Sequence, residues 1–210
     1  MISEQVFFHG WFYPFRIHEE KNTLLCPHPL QQFLHNAMTN CPHEYFQQGP
    51  RSSRLKFALP FPTTPLHGHE VSHLAATALE CSPDKTPHAK VQNFMLEQDD
   101  KTIAIEVPLW MTPEEMAPYF SFFGTHAPLT GHIDVLRIED GHIWIWDFKP
   151  HAHKEKYAHT QVYSYALMLS LRTSIPLNDF YCGYFDEQLA YIFRPSYQSF
   201  LPKSADSLFK

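Results

Sequence analysis

The stretch at residues 131–150, GHIDVLRIEDGHIWIWDFKP, decides how this chain is read. Residues 133–139 and 142–149 are β-branched and aromatic runs joined by Asp140-Gly141. That dipeptide is a strong hairpin signal, because both central residues of a type I′ turn need positive φ. With Asp140 and Gly141 as the turn, Glu139 faces His142, every cross-strand pair has the same sum of residue numbers, and Asp134 falls opposite Asp147. Counting back from the turn makes this a non-hydrogen-bonded pair, the kind whose side chains approach most closely. Two carboxylates roughly 5 Å apart repel by about 3 kcal/mol at an effective dielectric near 20. A divalent cation, which takes oxygen ligands and favours clustered carboxylates, would offset that cost.

Lys149 stands two residues beyond Asp147 and so shares its face of the strand. Asp-x-Lys beside a second carboxylate supplies ligands for a cation and a fixed positive charge, the parts needed to stabilise a pentavalent phosphate and orient a water. The rest of the hairpin is largely apolar on both faces. Leu136, Ile138, Ile143 and Ile145 share the carboxylate face; Ile133, Val135, Trp144, Trp146 and Phe148 take the other. Strands of this kind are covered on both sides, as in an α/β sheet, so the three charges stand where hydrophobic residues are expected, and unpaired buried charge is costly. A buried Asp–Lys ion pair with a spare aspartate is the alternative reading. In the helical run that follows, Tyr157, Gln161 and Tyr165 recur at a spacing of four and share one face.

With these residues in view, the chain resembles the RecB-type nucleases of the PD-(D/E)-x-K superfamily, a group that includes nuclease domains of bacterial recombination helicases and small CRISPR-associated exonucleases. GHID, DFK and QVYSY are similar to its G-x-x-D, (D/E)-x-K and Q-x-x-x-Y motifs, and the resemblance covers residues 68–195. It implies an α/β, restriction-endonuclease-like core: a mixed central sheet whose antiparallel meander carries the site, flanked by helices. It also implies metal-dependent hydrolysis of DNA phosphodiester bonds, exonucleolytic, at single-stranded or duplex ends, in repair, recombination or mobile-element and CRISPR-related processing. In that reading Asp134 and Asp147 hold Mg²⁺ or Mn²⁺ together with the Phe148 backbone carbonyl and His73. Lys149 positions or deprotonates the attacking water, and Gln161 and Tyr165 contact the DNA backbone or buttress Lys149. The family carries its ligating histidine on a helix preceded by a glycine. HLAATALE after Gly68 is similar, so His73 is expected there, with Glu70 as the fallback and His69 also in competition; a polar helix face meeting solvent is the alternative reading. Glu106 in IAIEVPLW resembles the glutamate that often opens the sheet in this family, and can equally be an edge-facing charge. Some RecB-type nucleases hold an iron–sulfur cluster on one early cysteine and three late ones; here only Cys182 follows the motifs, so no cluster is expected. Two rivals are a DNA-binding or assembly module that kept the fold without catalysis, and a His-rich metallohydrolase of small phosphoesters.

At 210 residues a single domain is expected, with residues 1–67 an N-terminal elaboration, 68–195 the core and 196–210 a polar tail. A hydrophobic content of 44% with 15% aromatics excludes a disordered chain. No apolar run approaches membrane-spanning length and MISEQVFFHGWF lacks a signal-peptide pattern, so a cytoplasmic protein with no membrane partner is expected. The net charge of −6 argues against a broadly basic nucleic-acid binder but allows a local basic cleft. Arg51, Arg54 and Lys56 form the densest basic patch before the hairpin, within a Pro/Ser/Thr-rich stretch at 48–68. They read as a solvated loop or as a phosphate-contacting arm. Lys154 and Lys156 crowd the first turns of a helix expected over 153–171, either as a solvated charge run or, since basic residues there oppose the macrodipole, as a place that a phosphate would relieve. Cys26, Cys41, Cys81 and Cys182 are widely spaced, as reduced thiols are. Cys-Pro-His occurs twice, at 26–28 and 41–43, either as a zinc-binding feature or by coincidence in a chain with 15 histidines.

Periodicity predicts further helices after Pro29 (stripe Leu30, Phe33, Leu34, Ala37, Met38), over 69–80, and from Pro113 to residue 123. Strands are expected over 5–8, 91–98, 102–107 with Pro108 as the stop, 180–185 and 189–193.

Overall fold

A computed structural model describes residues 1–59 and 62–196 of the chain. In order the elements are β1 (Ile2–Phe8), β2 (Phe12–His18), α1 (Glu19–Leu25), α2 (His28–Asn40), α3 (His43–Gln48), β3 (Thr64–His67), α4 (Glu70–Cys81), α5 (Pro87–Gln98), β4 (Thr102–Met111), α6 (Pro113–Met116), α7 (Phe120–Phe123), β5 (Leu129–Glu139), β6 (His142–Phe148), α8 (Ala158–Thr173), β7 (Phe180–Phe185) and β8 (Leu189–Phe193). The strands form one sheet in the order β1-β2-β4-β5-β6-β7-β8-β3. Among the strands of the described residues β6 and β7 run parallel, joined by a crossover through α8, and the other pairs are antiparallel. This is a mixed α/β fold of the restriction-endonuclease-like kind. Among the described residues no helix is long and apolar enough to cross a membrane.

The β5–β6 hairpin positions the site. Asp140 and Gly141 adopt φ of 49° and 77°, as the tight turn requires, and the ladder runs from Glu139↔His142 to Val135↔Trp146. Both faces are covered. Leu136, Ile138, Ile143 and Ile145 join the core beneath α8, while Val135, Trp146 and Phe148 pack with Val71, Ala75, Val91 and Met95 of α4 and α5. On the second face Arg137, fully buried, is ion-paired to Asp99 (2.8 Å), Glu139 (2.7 Å) and Glu70 (2.8 Å), and Glu70 also binds Lys101. A guanidinium presents donors enough for all three carboxylates, which is what allows a buried charge at this position.

Several sequence expectations change. Residues 91–98 belong to a helix, not a strand: Thr86 caps α5, Pro87 occupies its first turn, and Val91, Met95 and Leu96 share its buried face. Strand β4 runs through Pro108, paired opposite His132, and on to Met111. The helix expected from Pro113 is split into α6 and α7 by a 3₁₀ turn at Ala117–Tyr119, because Pro118 cannot donate the hydrogen bond that would continue α6. A 3₁₀ turn at Ala152–Lys154 precedes α8, which begins only at Ala158. Lys154 and Lys156 therefore lie before the helix, and the macrodipole argument for a phosphate beside them lapses. The stretch at 48–68 contains a 3₁₀ turn at Ser52–Arg54 and strand β3. The first 67 residues supply strands to both edges of the sheet. The expected tail lies, from residue 197 on, outside the described residues. Both Cys-Pro-His segments are helix-to-helix junctions, with the cysteine capping one helix, the proline preceding the next and the histidine opening it.

Candidate active site

At residue 134 the β5–β6 ladder stops and the side chain takes over: Asp134 Oδ2 accepts from the Phe148 backbone N–H at 2.9 Å. Asp147 follows on β6 and is buried. Its Oδ1 accepts from Gln161 Nε2 at 3.1 Å. Its Oδ2 lies 2.6 Å from Lys149 Nζ as an ion pair. A third carboxylate joins from β4. The pairs Ile105↔Val135 and Val107↔Ile133 bracket Glu106 opposite Asp134. Glu106 sits at φ 51°, in the left-handed region that a non-glycine residue rarely adopts. That twist interrupts the ladder, and Gln92 Nε2 of α5 donates to Glu106 Oε1 at 2.8 Å. Glu106, Asp134 and Asp147 thus stand in a row across three adjacent strands and line one cleft of about 560 Å³ with Lys149, Gln161 and Tyr165.

On the α8 side, Gln161 Nε2 also donates to the Tyr165 hydroxyl at 2.6 Å, which leaves the Tyr165 O–H proton for an acceptor in the cleft. The glycine that precedes Asp134 by three residues has a physical reason here. A Cβ on Gly131 would overlap the Tyr165 ring and the Ser52 hydroxyl, so only glycine lets α8 bring Tyr165 this close.

Burial dominates the electrostatics. It raises the carboxyl pKa values of Glu106 to about 8, Asp147 to about 7 and Asp134 to about 6. Asp134 adds to the shifts of Glu106 and Asp147, whereas Lys149 opposes those of both aspartates. Burial would depress Lys149, but the charges of Asp147 and Asp134 outweigh it and raise the Lys149 pKa. The lysine is therefore a fixed positive charge and not a base in this arrangement. One lysine does not neutralise three carboxylates. Three carboxylates beside an imidazole make an oxygen-rich donor set, the chemistry that a hard divalent cation takes. Bound there, such a cation would polarise a phosphoryl oxygen and lower the pKa of a coordinated water.

The nearby imidazole is His88, not His73. His88, on α5, lies 4.0 Å from Asp134 Oδ2, stacks edge-on against Phe148 and faces the Phe148 backbone. Burial lowers its pKa, which favours the neutral form that binds metals. His73 lies on the exposed face of α4, in a separate surface hollow with Leu74 and Phe94. Glu70 is committed to Arg137 and Lys101, and His69 caps α4 through the Val71 N–H, so neither is available to the cleft.

Of the basic residues expected to meet DNA, Arg51 lines the cleft. Its guanidinium lies 4.6 Å over the Tyr13 ring and donates to His132 Nδ1 (2.9 Å) and to the His9 carbonyl (3.2 Å). Arg54, Lys56, Lys154 and Lys156 are exposed outside it; Lys56 stands 5.9 Å from the Tyr157 ring centre. Behind Arg51 runs a histidine relay, His132 Nε2 to His9 Nδ1 (3.0 Å) and His9 Nε2 to His43 Nδ1 (2.9 Å). Arginine only donates, so His132 Nδ1 accepts, and burial with Arg51 nearby keeps His132 neutral. Its proton is then on Nε2, His9 accepts at Nδ1, and His9 in turn donates from Nε2 to His43. His9, Cys41 and His43 each bring a ligand atom within 4.8 Å of the others, but this proton order leaves no lone pair on His9 Nε2 for a metal.

A profile of the PD-(D/E)XK nuclease superfamily matches residues 34–195, most of the chain. The chain belongs to that superfamily. Neither curated proteins nor solved structures give a significant match. PD-(D/E)XK nucleases generally use divalent metal ions such as Mg²⁺ or Mn²⁺, in keeping with the carboxylate row. Sequence reasoning missed His88, Gln92 and the histidine relay. The first two follow from α5 once Thr86-Pro87 is read as a helix start; the relay joins residues more than 120 positions apart and leaves no local signal.

Proposed function

We propose that this PD-(D/E)XK protein is a Mg²⁺- or Mn²⁺-dependent deoxyribonuclease that acts on DNA ends. The observation that carries the reading is the row of Glu106, Asp134 and Asp147 beside Lys149 in one cleft. Asp134, Asp147 and Glu106 hold the cation, with the Phe148 carbonyl and His88 at its flank. Lys149 supplies a permanent charge toward the scissile phosphate and orients the attacking water. Gln161 holds Asp147 and Tyr165 in place, and Tyr165 and Arg51 offer donors to the DNA backbone. The end-directed part of the reading draws on the likeness to RecB-type nucleases, which also suggests repair, recombination or mobile-element processing as the setting.

The test is incubation of wild-type protein and Asp147→Asn with linear and closed-circular DNA in Mn²⁺, Mg²⁺ or EDTA. Metal-dependent loss of linear DNA from its ends, absent for Asp147→Asn, is the expected result. Nicking of closed circles at the same rate would replace the end-directed reading by an endonucleolytic one. DNA binding with no turnover in either metal would leave a module that kept the fold without catalysis.

A further inference from the structure

The cleft has an unusual rim. The β1–β2 hairpin carries three large aromatic side chains that are mostly in solvent: Trp11 is 71% exposed, Phe12 63% and Phe8 61%. Phe8 and Phe12 are opposite one another in the hairpin, with ring centres 5.1 Å apart. On the same outward face stand Val6, itself exposed, and its partner Pro14. The opposite face of the hairpin already supplies Phe7, Phe15 and Ile17 to the core, so the outward rings are not needed to hold it down. Trp11 and Phe12 line the same cleft as Asp134, Asp147 and Lys149, and so does Arg51, which lies over the Tyr13 ring. The cleft thus joins exposed aromatic rings, a half-buried arginine and the carboxylate row with its two buried aspartates.

We propose that the tip of the β1–β2 hairpin is a stacking platform for unpaired bases, and that the preferred substrate is therefore a single-stranded DNA end. The proposal rests on the nuclease reading above. A strand lying across the rim places base after base on aromatic faces while its backbone passes Arg51 toward the carboxylates. Stacking tolerates any sequence because every base has a π-face. Charge points the same way. With 22 acidic against 16 basic residues the chain is a poor polyelectrolyte partner for duplex DNA, which presents phosphates outward and hides its base faces. Affinity that comes from rings and not from lysines selects strands whose bases are free. A second copy of the chain on this face would instead cover the mouth of the cleft.

The experiment measures fluorescence anisotropy of a labelled dT20 strand and of a labelled blunt duplex, in EDTA so that nothing is cut. It uses wild-type protein, Trp11→Ala, Phe12→Ala and Trp11→Tyr, with sedimentation of each protein at the same concentration. The single strand is expected to bind at least tenfold more tightly than the duplex. Either alanine variant should weaken single-strand binding about tenfold, and Trp11→Tyr should stay near wild type. Equal binding of both DNAs, single-strand affinity unchanged in both alanine variants, or a wild-type dimer that Trp11→Ala converts to monomer would each overturn the platform. A parallel digestion in Mn²⁺ separates this proposal from its foundation. Single-strand binding that depends on Trp11, without cleavage, removes the nuclease reading and leaves the platform. Cleavage of single strands and duplexes alike, indifferent to Trp11, removes the platform alone.

Discussion

Lys149 is held 2.6 Å from Asp147 Oδ2 by the same charge that a metal ion would satisfy, so lysine and cation compete for the carboxylate while both are needed for hydrolysis. Replacing Asp147 by alanine should abolish Mn²⁺ binding and cleavage together. Lys149→Ala should leave Mn²⁺ affinity equal or slightly higher, yet lower single-turnover cleavage by about 10²–10⁴-fold, the usual worth of a positioned polar group in the transition state. Lys149→Arg should not restore the rate, because the planar guanidinium is bulkier than an ammonium. Isothermal titration with Mn²⁺ beside cleavage of a labelled strand checks the split, and wild-type cleavage by Lys149→Ala would refute it. The carboxylates also make the metal-free fold sensitive to pH. Asp134, Asp147 and Glu106 have folded-state pKa values of about 6, 7 and 8, above those of ordinary carboxyls. For groups shifted upward, the stabilising contribution is full below the unfolded pKa and is lost as pH rises through the folded one. The Tm in EDTA should therefore fall from pH 5.5 to 8.5, and the gain in Tm on adding Mn²⁺ should grow over the same interval, since the cation takes the deprotonated set. A flat metal-free Tm across that range would contradict the burial of these groups.

Two helices present histidines near this end of the sheet, and they differ in what those histidines reach. His88→Ala on α5 should weaken Mn²⁺ binding about 10- to 100-fold, the range seen for groups at or beside a metal; His73→Ala on α4 should change nothing, having removed a solvent-facing ring. Unchanged Mn²⁺ affinity in His88→Ala would mean that this imidazole takes no part in holding the cation. The same pair marks how far the fold and site could be read from residues alone. The β5–β6 hairpin was legible because Asp140-Gly141 sets a register by local turn chemistry. Gln161 and Tyr165 were legible because a helix repeats its face every four residues. The strands at 180–185 and 189–193 were legible as β-rich runs about a turn. Helix α5 was not: Val91 to Leu96 is a short apolar run in which periodicity alone does not separate strand from helix, and the deciding signal, Thr86-Pro87, lies upstream. Read as a strand, residues 91–98 give His88 and Gln92 no helix face, while the likeness in HLAATALE places the histidine on α4. Arg137 escaped for another reason: an arginine within a strand gives no sign that Glu70 of α4 and Asp99 at the end of α5 will join Glu139 of its own strand around it.

Across the whole molecule, the sheet places the carboxylate row on interior strands β4, β5 and β6 while the segments that came first in the chain form its margins. The reactive groups thus sit on ladders braced from both sides, with α5 and α8 supplying the polar side chains that hold Glu106 and Asp147. The pairing of β3 with β8, Thr64 with Ile192 through His67 with Leu189, has a further consequence, for the order of folding. The two strands are separated by most of the chain, and closing so long a loop must precede any reward from the contact. During synthesis β3 therefore waits, without its edge partner, until β8 follows more than 120 residues later. Refolding from urea should be slow, and the β3–β8 seam should form after the rate-limiting barrier. Ile192→Ala is then expected to speed unfolding in stopped-flow experiments and to leave the refolding rate nearly unchanged. A refolding rate that drops in proportion to the lost stability would instead place this seam among the first contacts made.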